Sequence, residues 1–453
     1  MSTPGPVGQG LQLAPFRGLR YASERVSSLA AVTSPPYDVV VRPDGLRHLE
    51  TADPYNIVRL ILPQTGEPTA RHQQAAQTLR RWQAEGVLTP DPEPALYVYE
   101  QRDQGLLQRG LIGALRLSPP REGVVLPHEN VMPHVVEDRA ALMRATAANL
   151  EPLLLSYDGH EADTPNGDAG GARSAGGHAP EAAPGASAVI DRAVRRPPLL
   201  ATTTEDGVAH RLWRIADPVE IAEATSDLRQ RQALIADGHH RWATYLRLRD
   251  ERRDPGPWDF GLVLLVDSAR YPLRVRAIHR LLRRLSPADA LAAVGDAFRV
   301  RSVDGPLAAA LDALATTQDE AARAGAPRNN AFLLAGGGRF HLLDRPDPAL
   351  LDAAVPRDRP EAWRTLDATV LHALLLDRVW RISEAPEHIG YIHDAAAAVE
   401  QTERHGGTAV LMRPVEEGVV RDLARQGVAM PHKSTSFGPK PATGLVLRSL
   451  ELG

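Results

Sequence analysis

Hydrophobic positions along this chain recur with two periods, and the switches between them outline its elements. Residues 68–85 place apolar side chains at helical spacing with Trp82 on the packed face, and Gly86 stops the run. Short alternating stretches at 95–100 and 107–117 read as strands, 136–150 as a charged helix, and the apolar run 153–157 as a buried strand. The alternation continues with a helix at 187–195, a strand at 210–215, a helix at 218–230 and a strand at 233–236. The next helix, 239–252, carries Tyr245 and Leu248 on one face, and 261–266 is a fully apolar strand of the kind buried on both faces. Residues 274–279 alternate, and 287–349 combine Ala-rich helix with a strand at 331–335. Helices at 363–379, 392–404 and 416–425 and a strand at 408–412 complete the pattern. Strands interleaved with helices predict an α/β fold, with α+β as the variant, built from mixed sheets with flanking helices.

Between these elements the pattern lapses in places that suggest boundaries. Residues 1–13 read as a frayed leader, and 13–40 as turn-rich, with Pro15, Gly18, Pro35 and Pro36 breaking any helix. Ser34-Pro35-Pro36-Tyr37-Asp38 reads as rigid extended backbone carrying polar groups forward. Residues 159–188 hold almost no large apolar side chain and predict a disordered insertion. The expected organisation is therefore an N-terminal α/β region at 14–158, a second region at 189–286 and a C-terminal α/β region at 287–453.

Composition narrows the chemistry. The 453 residues carry a formal net charge of −4, so no basic field points to nucleic acid, and nucleic-acid binding is disfavoured. There is no cysteine, hence no disulfide, thiolate nucleophile or zinc-thiolate site. No apolar run is long enough for a membrane span and the start lacks a signal-peptide pattern, which leads us to expect a cytoplasmic protein with no membrane partner. Of 52 basic residues only two are lysine, Lys433 and Lys440, both within Met430 to Lys440. In an Arg- and Ala-rich chain, lysine persists best where a compact ammonium is required, so this loop is a site candidate.

Three clusters have the inventory of a site. Asp237-Gly238-His239-His240-Arg241 is a strand-turn-helix: Gly238 permits a tight turn, the helix start offers outward amides to an anion, and Arg241 can grip phosphate. Asp237 can orient a metal or hydroxyl, and His239 and His240 can donate or act as acid and base; the plain alternative is a capping Asp before two exposed histidines. The second cluster is Pro127-His128-Glu129-Asn130 with Arg139 on the following helix, where His128 and Glu129 suit acid–base work or, through Glu129, Mg²⁺. The third is the Pro- and Gly-rich loop with Lys433, Ser434, Thr435 and Lys440, which resembles a phosphate cradle and is too rich in Pro and Gly for regular structure. No G-x-x-x-x-G-K-[ST] occurs, which excludes an ordinary P-loop.

Taken together, Pro15-Phe16-Arg17-Gly18-Leu19-Arg20, Ser34 through Val40, Asp53-Pro54-Tyr55-Asn56, Pro127-His128-Glu129, Glu137-Asp138-Arg139, Asp237 through Arg241 and Met430 through Gly444 resemble a bacterial and archaeal family catalogued as domain of unknown function 1015. The departures are the 159–188 insertion and Ser436-Phe437-Gly438, where the family more often has an aromatic pair. More distantly, Gly238, Arg241, Trp242 and Ala243 look like the G-x-x-R-[aromatic] box of the ParB and sulfiredoxin superfamily. That superfamily includes partition proteins that bind CTP, sulfiredoxins that use ATP, and kinases of free serine, and the Asp-Gly-His-His-Arg form looks closest to the kinases.

The resemblance implies a ParB/sulfiredoxin-like unit at 189–286 and a phosphotransferase-like activity that uses a nucleotide (ATP, ADP or CTP) with Mg²⁺. The partner would be a small phosphorylated metabolite or nucleotide, and phosphate would move to or from a hydroxyl metabolite such as serine. Asp237, His239, His240, His128 and Glu129 would be catalytic. Gly238, Arg241, Lys433, Ser434, Thr435, Lys440, Arg139, Tyr37 and Asp38 would bind phosphate or substrate. Sulfiredoxin chemistry lacks its cysteine here. The alternatives are a non-catalytic nucleotide sensor or adaptor and, disfavoured by charge, a partition-type DNA regulator.

Overall fold

The computed structural model describes residues 10–452 apart from 41–42, 65–67, 104, 160–184 and 324–329. The chain forms two compact units, Met1–Leu273 with Pro439–Gly453, and Arg274–Gly438. Both combine sheets with flanking helices, and the fold class is α/β; the nine-stranded sheet is mixed, while the described pairs of the second unit's six-stranded sheet are all antiparallel.

The first unit is organised by a nine-stranded sheet. Phe260–Asp267 lies at its centre, parallel to Leu153–Tyr157 and antiparallel to Leu106–Arg116. Its apolar run follows from that position, since neighbours on both sides and packing on both faces leave no polar exposure. Beyond Leu153–Tyr157 comes Ala233–Asp237, antiparallel, then Val125–Leu126 at the edge. The register between Ala233–Asp237 and its partner slips between Ile235 and Asp237. A slip of this kind re-aims the side chain that follows it, here Asp237 at the mouth of the sheet. On the other flank stand Leu96–Asp103, Ala209–Ile215 and Leu200–Thr203. The core of this sheet collects Leu96, Leu111, Leu155, Ile235, Val263, Trp242 and Leu248, all essentially buried.

The helix Pro133–Thr146 carries Arg139 of the second polar cluster, and His239–Asp250 carries His239, His240 and Arg241 of the first. Arg144–Glu251 and Arg247–Glu137 ion pairs join them, the latter at 2.5 Å. A second, smaller sheet pairs Gly18–Tyr21 with Leu88–Pro90 and Leu447–Ser449, and the last of these with Ala148–Asn149. This pairing holds residues 439–452 within the first unit.

Several expectations need correction. The regions 14–158 and 189–286 are not separate, because strands from both interleave in the one sheet; hydrogen-bond partners distant in sequence leave no local trace. Residues 10–13 are not a frayed leader. Gly10 and Leu11 donate backbone hydrogen bonds into the 228–231 turn, and Leu11 is fully buried. Most of 159–188 lies outside the described residues, but its last residues are ordered, since Ala186–Ala193 is a helix and Ser187 Oγ donates to Asp267 at 2.8 Å. Between Gly18 and Pro35 a four-residue helix, Leu29–Val32, forms under an Ser28 cap.

The second unit has a six-stranded sheet in the order Arg299–Val303, Arg339–Asp344, Phe332–Gly336, Thr408–Leu411, His279–Leu282, Ile389–Ile392. The expected 363–379 helix is two short α-turns followed by a π-helical stretch, Leu371–Trp380. The expected 392–404 helix begins only at Ala395, after a strand, where Asp394 caps it. The Met430 to Lys440 loop is not wholly irregular: Ser436–Gly438 pairs with Arg274–Arg276.

Candidate functional site

The turn after Pro36 sets the first two residues of the site. Val39 N donates to the Pro36 carbonyl at 2.9 Å, so Tyr37 and Asp38 occupy the centre of a β-turn and not the extended backbone expected. Asn56 holds the preceding backbone by donating to Ala31 and Thr33, and Ser34 and Thr443 exchange backbone hydrogen bonds at 3.1 and 2.8 Å. Tyr99 Oη accepts from Ala442 and Gln108 donates to the Pro439 carbonyl. The segment carrying Lys440 is thereby clamped beside the turn carrying Asp38.

Lys440 sits between two carboxylates: its ammonium donates to Asp38 Oδ2 at 2.7 Å and meets Asp237 Oδ1 at 2.5 Å. Asp237 Oδ2 accepts from Arg241 at 2.7 Å, one helical turn on, and Arg241 also donates to the Pro152 carbonyl at 3.0 Å. Burial, then the nearby Asp38 charge, push the Asp237 carboxyl up, while Lys440 and Arg241 oppose the shift. Asp38, whose side chain is 37% exposed, behaves the other way. Its partial burial raises it, but Lys440 and Arg241 outweigh this and hold it below the ordinary carboxylate value. Despite the desolvation that disfavours its charge, Lys440 is raised by Asp237 and Asp38.

Gly238 makes this geometry possible. Its φ is 101°, and a Cβ there would lie 2.9 Å from Leu153 Cγ and 3.2 Å from the Arg241 guanidinium. Gly238 has no side chain with which to cap the helix it opens, and a helix start of this kind suits an anion.

The second cluster packs against the same turn. His128 is buried, its backbone N–H donates to His239 Nε2 at 3.3 Å, and the rings meet edge to face at 4.4 Å. Because His239 Nε2 accepts, Nδ1 carries its proton, facing Glu129 at 3.6 Å. Burial holds both His128 and His239 down to about 3, assisted by the His239 and His240 charges respectively, so both rings are neutral near pH 7. His240 is more open and accepts from Met132 N at 3.1 Å. Arg139 stacks 4.6 Å from the centre of the Tyr37 ring and donates to the Ile61 carbonyl at 2.7 Å. Tyr37 is itself raised to about 12, by burial first and Asp38 second.

The structure therefore gathers Tyr37, Asp38, Asp237, Gly238, Arg241 and Lys440, with His128, Glu129, His239, His240 and Arg139 around them, in the first unit. Lys433, Ser434 and Thr435 belong to the second unit. There Lys433 is exposed with a left-handed φ of 53°, and Ser434 is buried, donating to the Pro431 carbonyl at 2.7 Å. Sequence reasoning missed Glu151, which is buried, accepts from Tyr37 N at 2.9 Å and is raised by burial against the pull of Arg241. A carboxylate two residues before the apolar run Leu153-Leu154-Leu155 was the available signal. Among the described residues no group of three or more His, Asp or Glu is arranged to hold a metal ion, and no helix is long and apolar enough to cross a membrane.

No curated protein gives a significant match. Among solved structures the chain is similar to a conserved hypothetical protein from Pyrococcus furiosus, at 13% identity over 73% of this chain and 94% of that one, TM-score 0.33. A free serine kinase in complex with AMP is similar at 14% identity over 73% and 90%, TM-score 0.33. SbnI from Staphylococcus aureus is similar at 9% identity over 74% and 86%, TM-score 0.33. The family model described as Protein of unknown function (DUF1015) matches residues 13–166 and 179–369. With most of its length so matched, this chain belongs to the DUF1015 family.

Proposed function

We propose that the first unit binds the phosphate of a nucleotide or small phosphometabolite at the Lys440 cluster and transfers a phosphoryl group to or from a hydroxyl metabolite, serine being the model acceptor. The observation that carries this reading is Lys440, fixed between Asp38 and Asp237, the residue that ends the strand before the glycine-capped helix start. An ammonium in that position, with the outward amides of the first turn, meets negative charge on a transferring group without having to reorganise.

In the forward direction the acceptor hydroxyl gives its proton to Asp237, whose burial makes it a better base than an ordinary carboxylate. The hydroxyl oxygen forms the new O–P bond as the bond from phosphorus to the departing oxygen breaks, and that oxygen leaves with the electron pair. Asp38 holds the Lys440 ammonium in place. Neutral His128 and His239, with Glu129 beside them, wall the site. Asp38 and Asp237 already share Lys440, so Mg²⁺ would enter as the counter-ion of the ligand's phosphates.

The test is calorimetric titration of the full chain with ATP, ADP and CTP in the presence of Mg²⁺. Binding to the parent protein that weakens about 10-fold or more in Lys440→Met, with the fold retained, supports the site; a tenfold loss corresponds to about 1.4 kcal/mol. Equal affinity in both proteins refutes it. Binding without turnover would move the assignment to a nucleotide sensor.

A further inference from the structure

The second unit holds a polar cluster of its own. Arg280 is fully buried, and among the described residues no carboxylate lies within ion-pair distance of it. Its guanidinium donates to His372 Nε2 at 2.9 Å and to the His432 carbonyl at 3.3 Å, lies 5.1 Å from the centre of the Tyr391 ring, and has no hydrogen bond at Nε. Burial lowers it to about 10. Arginine has no acceptor, so His372 Nε2 must be unprotonated and Nδ1 must carry the hydrogen. That Nδ1–H donates to Glu384. Glu384 thus reaches the buried charge through a neutral imidazole, set at the start of the π-helical stretch, an irregularity that recurs at functional sites.

The rim of the cluster is open. Glu384 is 41% and His432 58% exposed, their Oε2 and Nδ1 lie 3.9 Å apart, and the His432 ring stands edge-on to Tyr391 at 5.8 Å. Next in sequence, Lys433 is exposed, makes no ion pair among the described residues, and occupies a left-handed backbone conformation that is strained for a non-glycine residue. Strain of that kind persists where a side chain has to be aimed.

Arg280 and Lys433 carry two positive charges against the one negative charge of Glu384. A monocarboxylate displacing Glu384 would gain nothing in charge, whereas a dianion would neutralise the cluster. We propose that the second unit contains a binding site for a phosphate dianion, inorganic or as a small phosphomonoester, in which Glu384 is an intramolecular stand-in. The ligand takes the His372 Nδ1–H that Glu384 now accepts, His432 and Lys433 close on its outer oxygens, and Arg280 supplies buried charge from behind. This site does not depend on the reading of the first unit.

The test is histidine side-chain NMR of the full chain during titration with inorganic phosphate, with acetate as the monoanion control. Phosphate should shift the His372 and His432 imidazole signals, and acetate should not. Glu384→Gln, which removes the competitor at an exposed loop position, should lower the half-saturating phosphate concentration about 10-fold, while Lys433→Ala should raise it several-fold, each factor of ten being about 1.4 kcal/mol. Unmoved His372 and His432 signals, or the same midpoint in Glu384→Gln and the parent protein, overturn the proposal. Phosphate shifts confined to His240 would leave the first-unit reading standing and remove this one.

Discussion

Replacing Lys440 by Met should expose how strongly its ammonium ties the site together. Lys440 and Asp237 are 23% and 8% exposed, so removal of the ammonium leaves Asp237 a mostly buried carboxylate with Arg241 as its remaining cation. Breaking a fully buried pair costs about 3–5 kcal/mol, and an exposed one about 0–1. Partial exposure and the surviving Arg241 contact place Lys440→Met between them, at about 2–3 kcal/mol near neutral pH. Hydrogen exchange of the Ala233–Asp237 strand and the His239–Asp250 helix, read by mass spectrometry, isolates the first unit. The slowest amides should exchange roughly 30–150 times faster in the variant. Asp237→Asn alone also weakens the site, but the double variant should recover about 1–2 kcal/mol relative to the sum, because no unpaired charge remains. Burial and Asp38 already push Asp237 up, so without Lys440 it should rise further, and the deficit should shrink as pH falls below neutral. Strictly additive single-variant effects, or unchanged exchange in Lys440→Met, would refute the reasoning.

Further outcomes follow from the same geometry. His128 and His239 are lowered from 6.5 to about 3, so between those values the unfolded chain binds protons that the folded chain refuses. Their stabilisation is complete above about pH 6.5 and is lost on acidification, with a combined slope approaching 3 kcal/mol per pH unit. Asp237 and Glu151, raised in the fold, take up protons earlier than in the unfolded chain and offset part of this. Urea unfolding from pH 7 to 4 should show the acid loss, and His239→Asn should flatten it by about 1.4 kcal/mol per pH unit; an unaltered slope contradicts the assignment. Gly238→Ala should cost about 2–3 kcal/mol, from a φ of 101° and a Cβ crowded by Leu153, and would be seen as a lowered melting temperature; an unchanged value rules out the turn geometry.

How much of this was legible beforehand depends on the range of the interaction. The apolar run of Phe260–Asp267 and the strand-turn-helix at Gly238 are local signals, and both appear where the pattern put them. The rarity of lysine singled out Lys433 and Lys440 alike, and only Lys440 meets the two carboxylates Asp38 and Asp237, a convergence that composition does not announce. The interleaving of 14–158 with 189–286 was hidden, since a strand reads the same whichever neighbour it pairs with. Glu151 was hidden for a related reason: its partner Tyr37 is 114 residues away. Arg280 lies just past the alternating stretch 274–279 and no sequence signal singled it out, and its meeting with His372 and Glu384 depends on a helix wound with an irregular pitch that no periodicity announces.

The most direct measurement for the central claim is phosphorus NMR of the full chain with Mg²⁺, mixed ATP, ADP and CTP, and free serine with related hydroxyl metabolites. A new phosphoester signal, matched by loss of nucleotide phosphate and abolished in Asp237→Asn and Lys440→Met, is the predicted result. A spectrum that stays unchanged while nucleotide binding is demonstrated would contradict phosphoryl transfer and leave the first unit a sensor.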